Sequence, residues 1–362
     1  MNNNSKLGTT QAVLFILIVM INKIILNFPK KIILDTGTGS LVNLIYIGII
    51  VILFCLLLSK LFKKFETYDI VDVSEFLGGK FLKILIGIIY IAIFLLTAST
   101  VTIDFSSMLK SIYFNSSPIL FILLFFLIAL VVSNLIGFKS IIKANCLIMP
   151  FMLVSILLIL FGTSKEFVFQ RLTPILGYGY KKTFLLGTSN IFAFSGFTYL
   201  YFIMPLLKEK ENFKKISIIS MVISWVFLFL SVSSLLLVLP FITYTEELNS
   251  LYLITRLVKY GDFLQRTDAL FIFLWILSTM SYLSIVSFFI ITITKKIANI
   301  TNEKPLIFPY ACIILGLCLI PTDIIDLNFL ENNIYKYSTI IINFIVCPII
   351  LILANLKKKR MT

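Results

Sequence analysis

The chain has 362 residues, 59% of them hydrophobic, and a mean hydropathy of +1.05; apolar runs of about 20 residues recur along its whole length, which excludes a soluble globular protein and marks a polytopic helical membrane protein. The net charge of +14 comes from Lys and Arg set between the apolar runs, without a basic patch or aromatic platforms, so it serves topology and argues against nucleic-acid binding. There is no His, which removes imidazole acid–base chemistry and most zinc sites, and the five cysteines (Cys55, Cys146, Cys312, Cys318, Cys347) lie inside apolar runs as small hydrophobes, so no disulfide framework, metal site or cofactor is expected.

Length and flanking charge place ten spans at roughly 10–34, 40–62, 81–108, 118–136, 140–162, 184–207, 216–240, 267–294, 305–321 and 335–356. The longest polar connection is about 20 residues, too short for a core of its own, so residues 1–362 read as a single transmembrane domain. With the N-terminus inside, the inner segments hold 19 basic residues and the outer ones 11, with Lys23 left within span one. That bias predicts both termini on the cytoplasmic side. The closing run from Lys357 to Arg360 is then a cytoplasmic stop signal or a contact for anionic membrane lipid.

The segment from Asn2 to Gln11 lacks the basic start and small-residue cleavage site of a signal peptide, so span one is expected to stay in place. Span one carries Asn22-Lys23, followed by Pro29. Counted from Thr10 at about 1.5 Å per residue, Lys23 lies roughly 20 Å deep, past the midplane. A charge there either snorkels to the outer surface or marks a function, and the polar pair followed by proline reads as a broken helix. Span three places Tyr90, Thr97 and Asp104 seven residues apart on one face, which should look inward, with Asp104 near the outer end at either the headgroups or a ligand.

Between spans five and six, the outer segment 171–179 (Arg-Leu-Thr-Pro-Ile-Leu-Gly-Tyr-Gly) reads as a small lid or a turn-rich connector. Span six is apolar yet has Ser195-Gly196 at its middle and Pro205 at its end. In lipid such an interruption survives only where protein or a cavity satisfies the freed backbone groups. Pro29 and Pro205 each close a span, about 176 residues apart, so interrupted first and sixth members predict a five-plus-five inverted repeat, with repeats at about 9–162 and 184–356. In the outer loop 241–266, residues 246–256 predict a short amphipathic surface helix. Span eight is dense in small polar residues (Ser278, Thr279, Ser281, Tyr282, Ser284, Ser287), which serve either close helix packing or ion and ligand contact. No Gly-rich nucleotide loop, His-Glu-x-x-His motif or nucleophile–base pair is present, so an enzyme or an ATP-driven pump is not expected.

These features together resemble a known group. The polar lead ending in Thr10-Gln11, the Asn-Phe-Pro29 segment, the loop Pro174-Ile-Leu-Gly-Tyr-Gly, the Gly196 break with Pro205, and Arg266-Thr-Asp followed by Trp275 are similar to the B-subunit permeases of endospore nutrient germinant receptors, within the amino acid–polyamine–organocation superfamily. The resemblance implies an all-α integral membrane protein of leucine-transporter type. Its ligand would bind between broken helices one and six, flanked by spans three and eight, where half-helix ends carry partial charge. By position the lining would be Asn22, Lys23 and Ile24 from span one, Thr97 from span three, and Ser195, Gly196, Phe197 and Thr198 from span six.

The function implied is a nutrient-sensing subunit in the spore inner membrane or bacterial cell membrane. It would bind an amino acid, with neutral or hydrophobic side chains favoured by Phe197 and Thr198, and signal through two partners, a larger membrane subunit with a soluble domain and a lipoprotein. A secondary amino-acid transporter or an ion-conducting subunit would share the same fold.

Overall fold

A computed structural model describes residues 6–25, 28–240, 243, 250–258, 267–321 and 329–361. Each of the ten predicted spans meets a helical segment. Span one is two helices, Thr9–Ile25 and Phe28–Thr36; span two is Ser40–Phe62, span four Ile119–Ile136, span five Phe138–Gly162, span seven Phe213–Val238, span eight Thr267–Ala298 and span nine Lys304–Cys318. Seven helical stretches are long and apolar enough to cross a membrane, and Thr9–Ile24 and Lys304–Cys318 are shorter apolar helices. Among the described residues there is no strand; a parallel bridge joins Leu7 to Leu207, with Leu7 N donating to Leu206 O at 2.8 Å and Lys208 N to Leu7 O at 2.9 Å.

Span three belongs to the helical run Ile70–Ile112, which is broken at Gly78 and Gly79. Gly79 has φ of 70°, a conformation open mainly to glycine, so the segment before it forms a separate short helix at the end of the bundle that carries both termini. Asp69 caps that short helix by accepting from Val71 N and Asp72 N, both at 3.0 Å. Lys296, at the end of span eight, bridges Asp69 at 2.5 Å and Asp72 at 2.6 Å. From the C-terminal helix Cys347–Met361, Lys357 donates to Phe76 O at 2.8 Å and Leu77 O at 3.1 Å, carbonyls that the break leaves without helical partners. The terminal basic run therefore clamps this turn in addition to any role in topology.

Span six departs furthest from regular helix. It starts as a π-helix, Lys181–Leu185, continues as a 3-10 helix, Leu186–Tyr199, and ends in Leu200–Ile203 and Met204–Leu206. Irregular backbone within the bundle needs internal partners, and Asn43 of span two supplies them, donating to Thr183 O at 2.7 Å and Gly187 O at 3.1 Å. The 171–179 segment caps and packs. Arg171 donates to Leu237 O at 3.0 Å and Val238 O at 2.6 Å at the end of span seven, and Thr38 donates to Pro174 O. It contributes no residue to the large cavity described below.

Within the loop 241–266, Ser250–Leu257 forms the expected short helix, and Tyr252 holds it to span eight by donating to Asp268 at 3.4 Å. Residues 246–249 and Arg266 lie outside the described residues, as do residues 2–5 of the leading segment. The polar stripe of span eight is buried against its neighbours, with Asn134 of span four donating to Ser287 Oγ at 2.6 Å. Close helix packing is one of the two roles expected of such a stripe.

Candidate ligand site between spans one, six and ten

Both interruptions exist, and both differ in detail from the sequence expectation. Asn22 and Lys23 are not themselves the break: they lie in the last turns of Thr9–Ile25, and the second half of the span starts at Phe28. Pro29 opens that second helix instead of closing the span, because a first-turn residue has no intrahelical N–H bond to lose. Leu26 and Asn27, between the halves, lie outside the described residues. In span six the backbone leaves helical geometry at Phe194 (φ −96°, ψ 24°), next to Ser195, inside a 3-10 run of 14 residues. The segment is tightened, not unwound. Runs of 3-10 helix beyond three or four residues are uncommon and often mark a hinge or strain.

Lys23 joins the two segments. The residue is 3% exposed, and its side-chain nitrogen donates to Ser195 Oγ and, at 2.8 Å, to Tyr335 OH. Three rings surround it, with centroids at 5.8 Å for Phe28, 5.1 Å for Phe192 and 5.0 Å for Tyr335, within the range of cation–π attraction. No carboxylate among the described residues pairs with it. Thr97 completes this corner, its Oγ1 lying 2.7 Å from Tyr335 OH. Tyr90 and Thr97 are buried as the inward face of span three predicted, and Asp104 lines a cavity.

The other sequence-selected residues turn elsewhere. Asn22 ties span one to span eight, donating to Ser278 Oγ at 2.9 Å and accepting from Thr279 Oγ1 at 3.3 Å. Ile24 is buried in the apolar core. Gly196 is a contact glycine: a Cβ there would come 2.2 Å from Met20 Sδ, so its bare backbone lets span one pack close. Phe197 packs on Phe344 at 5.2 Å and Tyr201 at 5.7 Å. Thr198 donates to Ser195 O at 2.7 Å and accepts from Asn343 Nδ2 at 2.6 Å.

Span ten was missed as a contributor, and it supplies the centre of the polar network. It runs through two π-turns, Leu330–Tyr335 and Ile342–Val346, a geometry frequent at functional sites. Asn343 takes a hydrogen bond from Tyr90 OH at 3.3 Å on its side chain and one from Tyr201 OH on its carbonyl. A lone Asn in Ile-Ile-Ile-Asn-Phe-Ile-Val and a glutamate at the edge of an apolar run were available signals, since polar groups in a span are costly.

A cavity of about 1010 Å³ opens at the end of the bundle away from the termini, lined among others by Phe28, Asp104, Asn190, Phe192, Asn332 and Lys336. At its side, ion pairs join the second half of span one to span ten: Lys31 with Glu331, and Asp35 with Lys336 at 3.7 Å. A second cavity, about 10 Å³ and so large enough for roughly one water, lies between Lys23, Phe28, Asp104, Glu331 and Tyr335. Phe28 and Asp104 line both. Of the eight residues selected from sequence, Lys23 alone touches either space; the rest lie behind it.

The profile of a family described as spore germination protein, Spore_permease, matches residues 6–326. The chain belongs to the spore germination permease family. Two relatives from Bacillus subtilis (strain 168) are similar over long stretches. Spore germination protein A2 is 23% identical over 369 residues, 99% of this chain and 97% of the relative. Spore germination protein B2 is 23% identical over 275 residues, 75% of this chain and 74% of the relative.

Among solved structures, a Na+-coupled sialic acid symporter in a substrate-bound, outward-open state superposes with a TM-score of 0.61 at 12% identity, covering 97% of this chain and 76% of that one. The fold of this family member is therefore that of a membrane transporter, the leucine-transporter type that the resemblance implied. In that fold a buried cation on span one, held by hydroxyls from spans six and ten, couples three segments through one side chain.

Proposed function

We propose that the chain is the nutrient-sensing subunit of a spore germinant receptor, binding a small nutrient between spans one, six and ten and passing the resulting conformational change to partner subunits. The observation that carries this reading is the position of Lys23. It is buried at the junction of both interrupted segments, beside a small space that shares Phe28 and Asp104 with the open cavity. A ligand biases such a junction by its difference in affinity for the two arrangements.

On this reading Asn22, Lys23, Ile24, Thr97, Ser195, Gly196, Phe197 and Thr198 form or brace the site, joined by Tyr335 and Asn343. The ligand is an amino acid, with a neutral or hydrophobic side chain favoured. The two five-helix units, about 9–162 and 184–356, rock about the site; the protein sits in the spore inner membrane with both termini cytoplasmic. Its partners are a larger membrane subunit with a soluble domain and a lipoprotein. Spores carrying Gly196→Leu should accumulate the protein yet lose the nutrient response, and a normal response of that variant contradicts the reading; a response of the unmodified protein confined to acidic or strongly basic nutrients contradicts the choice of a neutral ligand.

A secondary amino-acid transporter is the second reading, favoured by the likeness to a symporter fold. Uptake of labelled amino acid into proteoliposomes by the chain alone would decide for transport, and absence of uptake together with dependence on the partner subunits decides for sensing. An ion-conducting role makes Lys23→Gln alter the ion release of germinating spores, and unchanged release and selectivity remove Lys23 from it.

A further inference from the structure

The surroundings of Lys23 are those of a bound ligand and not of a structural ion pair. Its ammonium meets two neutral hydroxyls, Ser195 Oγ and Tyr335 OH, and the faces of Phe28, Phe192 and Tyr335. These are the groups a protein uses to take a cation from water: oxygen acceptors for two N–H bonds and ring faces for the remaining charge. The residues come from three separate parts of the chain, both halves of span one together with spans six and ten, and they converge on one nitrogen. The cage is accessible in principle, because Phe28 and Phe192 also line the open cavity. The small space beside the ammonium is walled by Asp104 and Glu331, so a displaced Lys23 head has carboxylates to move toward.

We propose that the cage of Ser195, Tyr335, Phe28 and Phe192 is a binding site for a primary ammonium group, occupied in this conformation by the chain's own Lys23. An amine-bearing ligand entering from the open cavity takes the place of the lysine ammonium, and the lysine is released toward Asp104, Glu331 or an anionic group on the ligand itself. The inference deepens the proposed nutrient site by naming the group it takes and rests on that site being the place of binding; its test uses purified protein and so stands apart from any result in spores.

The probe is n-butylammonium, which resembles the lysine side chain cut free of the backbone. Lys23→Ala empties the cage, and n-butylammonium should then raise the unfolding temperature of the detergent-purified variant saturably, with a rise in the wild type only at higher amine concentration, where Lys23 competes for the cage, and none from n-butanol. No response of Lys23→Ala, or equal responses to the amine and the alcohol, overturns the proposal. Should the alanine variant not accumulate, Lys23→Met gives a second test by refilling the volume without the charge. A buried charge that is merely tolerated is commonly replaced by an apolar side chain of similar volume without loss. An Lys23→Met protein that unfolds at or above the wild-type temperature therefore also overturns the proposal, whereas a cage built for a cation requires a lower one.

Discussion

Lys23 and Asn343 carry the polar interior, and each bonds groups on other segments. Asn343→Leu would remove one partner from the hydroxyl of Thr198, which keeps Ser195 O, and one from that of Tyr90, which keeps Cys347 Sγ, and each hydrogen bond lost costs about 0.5–1.5 kcal/mol. The expected outcome is a lower unfolding temperature in detergent with the helix content unchanged, read by tryptophan fluorescence and circular dichroism. Gly196→Leu acts by a different route, forcing Met20 out of a fully packed site. Overpacking of this kind costs about 1–3 kcal/mol; Gly196→Ala should cost less, and equal midpoints for alanine and leucine would deny the contact its role.

At the scale of elements, the short helix before Gly79 is tethered at both ends, by Lys296 to Asp69 and Asp72 and by Lys357 to Phe76 O and Leu77 O. Lys296→Met removes the first tether and leaves two carboxylates side by side. Hydrogen exchange should then speed up across residues 70–77 while span eight stays protected; unchanged exchange in that segment would mean the tether contributes nothing. The interrupted spans obey the same logic of satisfied backbone. Span six is wound wide as a π-turn at its start and tight as a 3-10 helix after it, and Asn43 answers the carbonyls that this leaves over. The polar pair Asn22-Lys23 with Pro29 marked one interruption in the sequence, and Ser195-Gly196 with Pro205 the other. They did not place them to the residue, since Pro29 suits a helix start as well as a helix end.

For the whole molecule, the alternation of basic residues between spans predicts which connections face the cytoplasm. In a cysteine-free background, a cysteine at Glu166, exposed between spans five and six, should react with an impermeant maleimide from outside protoplasts, and one at Glu211, exposed between spans six and seven, should not. The reverse pattern would invert the molecule and put the large cavity on the cytoplasmic side. The ion pairs Lys31–Glu331 and Asp35–Lys336 join span one to span ten beside that cavity. Any closure of the cavity must carry these pairs with it.

The amino-acid sequence by itself determined the ten spans, their helical class, the family resemblance and the presence of two interruptions, because hydrophobic length, flanking charge and Gly/Pro punctuation are local properties of the chain. Tertiary structure alone decided which polar groups meet. Lys23 reaches Ser195 across 172 residues and Tyr335 across 312, and span ten entered the site by the rotation of its π-turns. The direction a side chain takes around a buried helix follows from how that helix packs against its neighbours, and a uniformly apolar span carries almost no periodicity to reveal it.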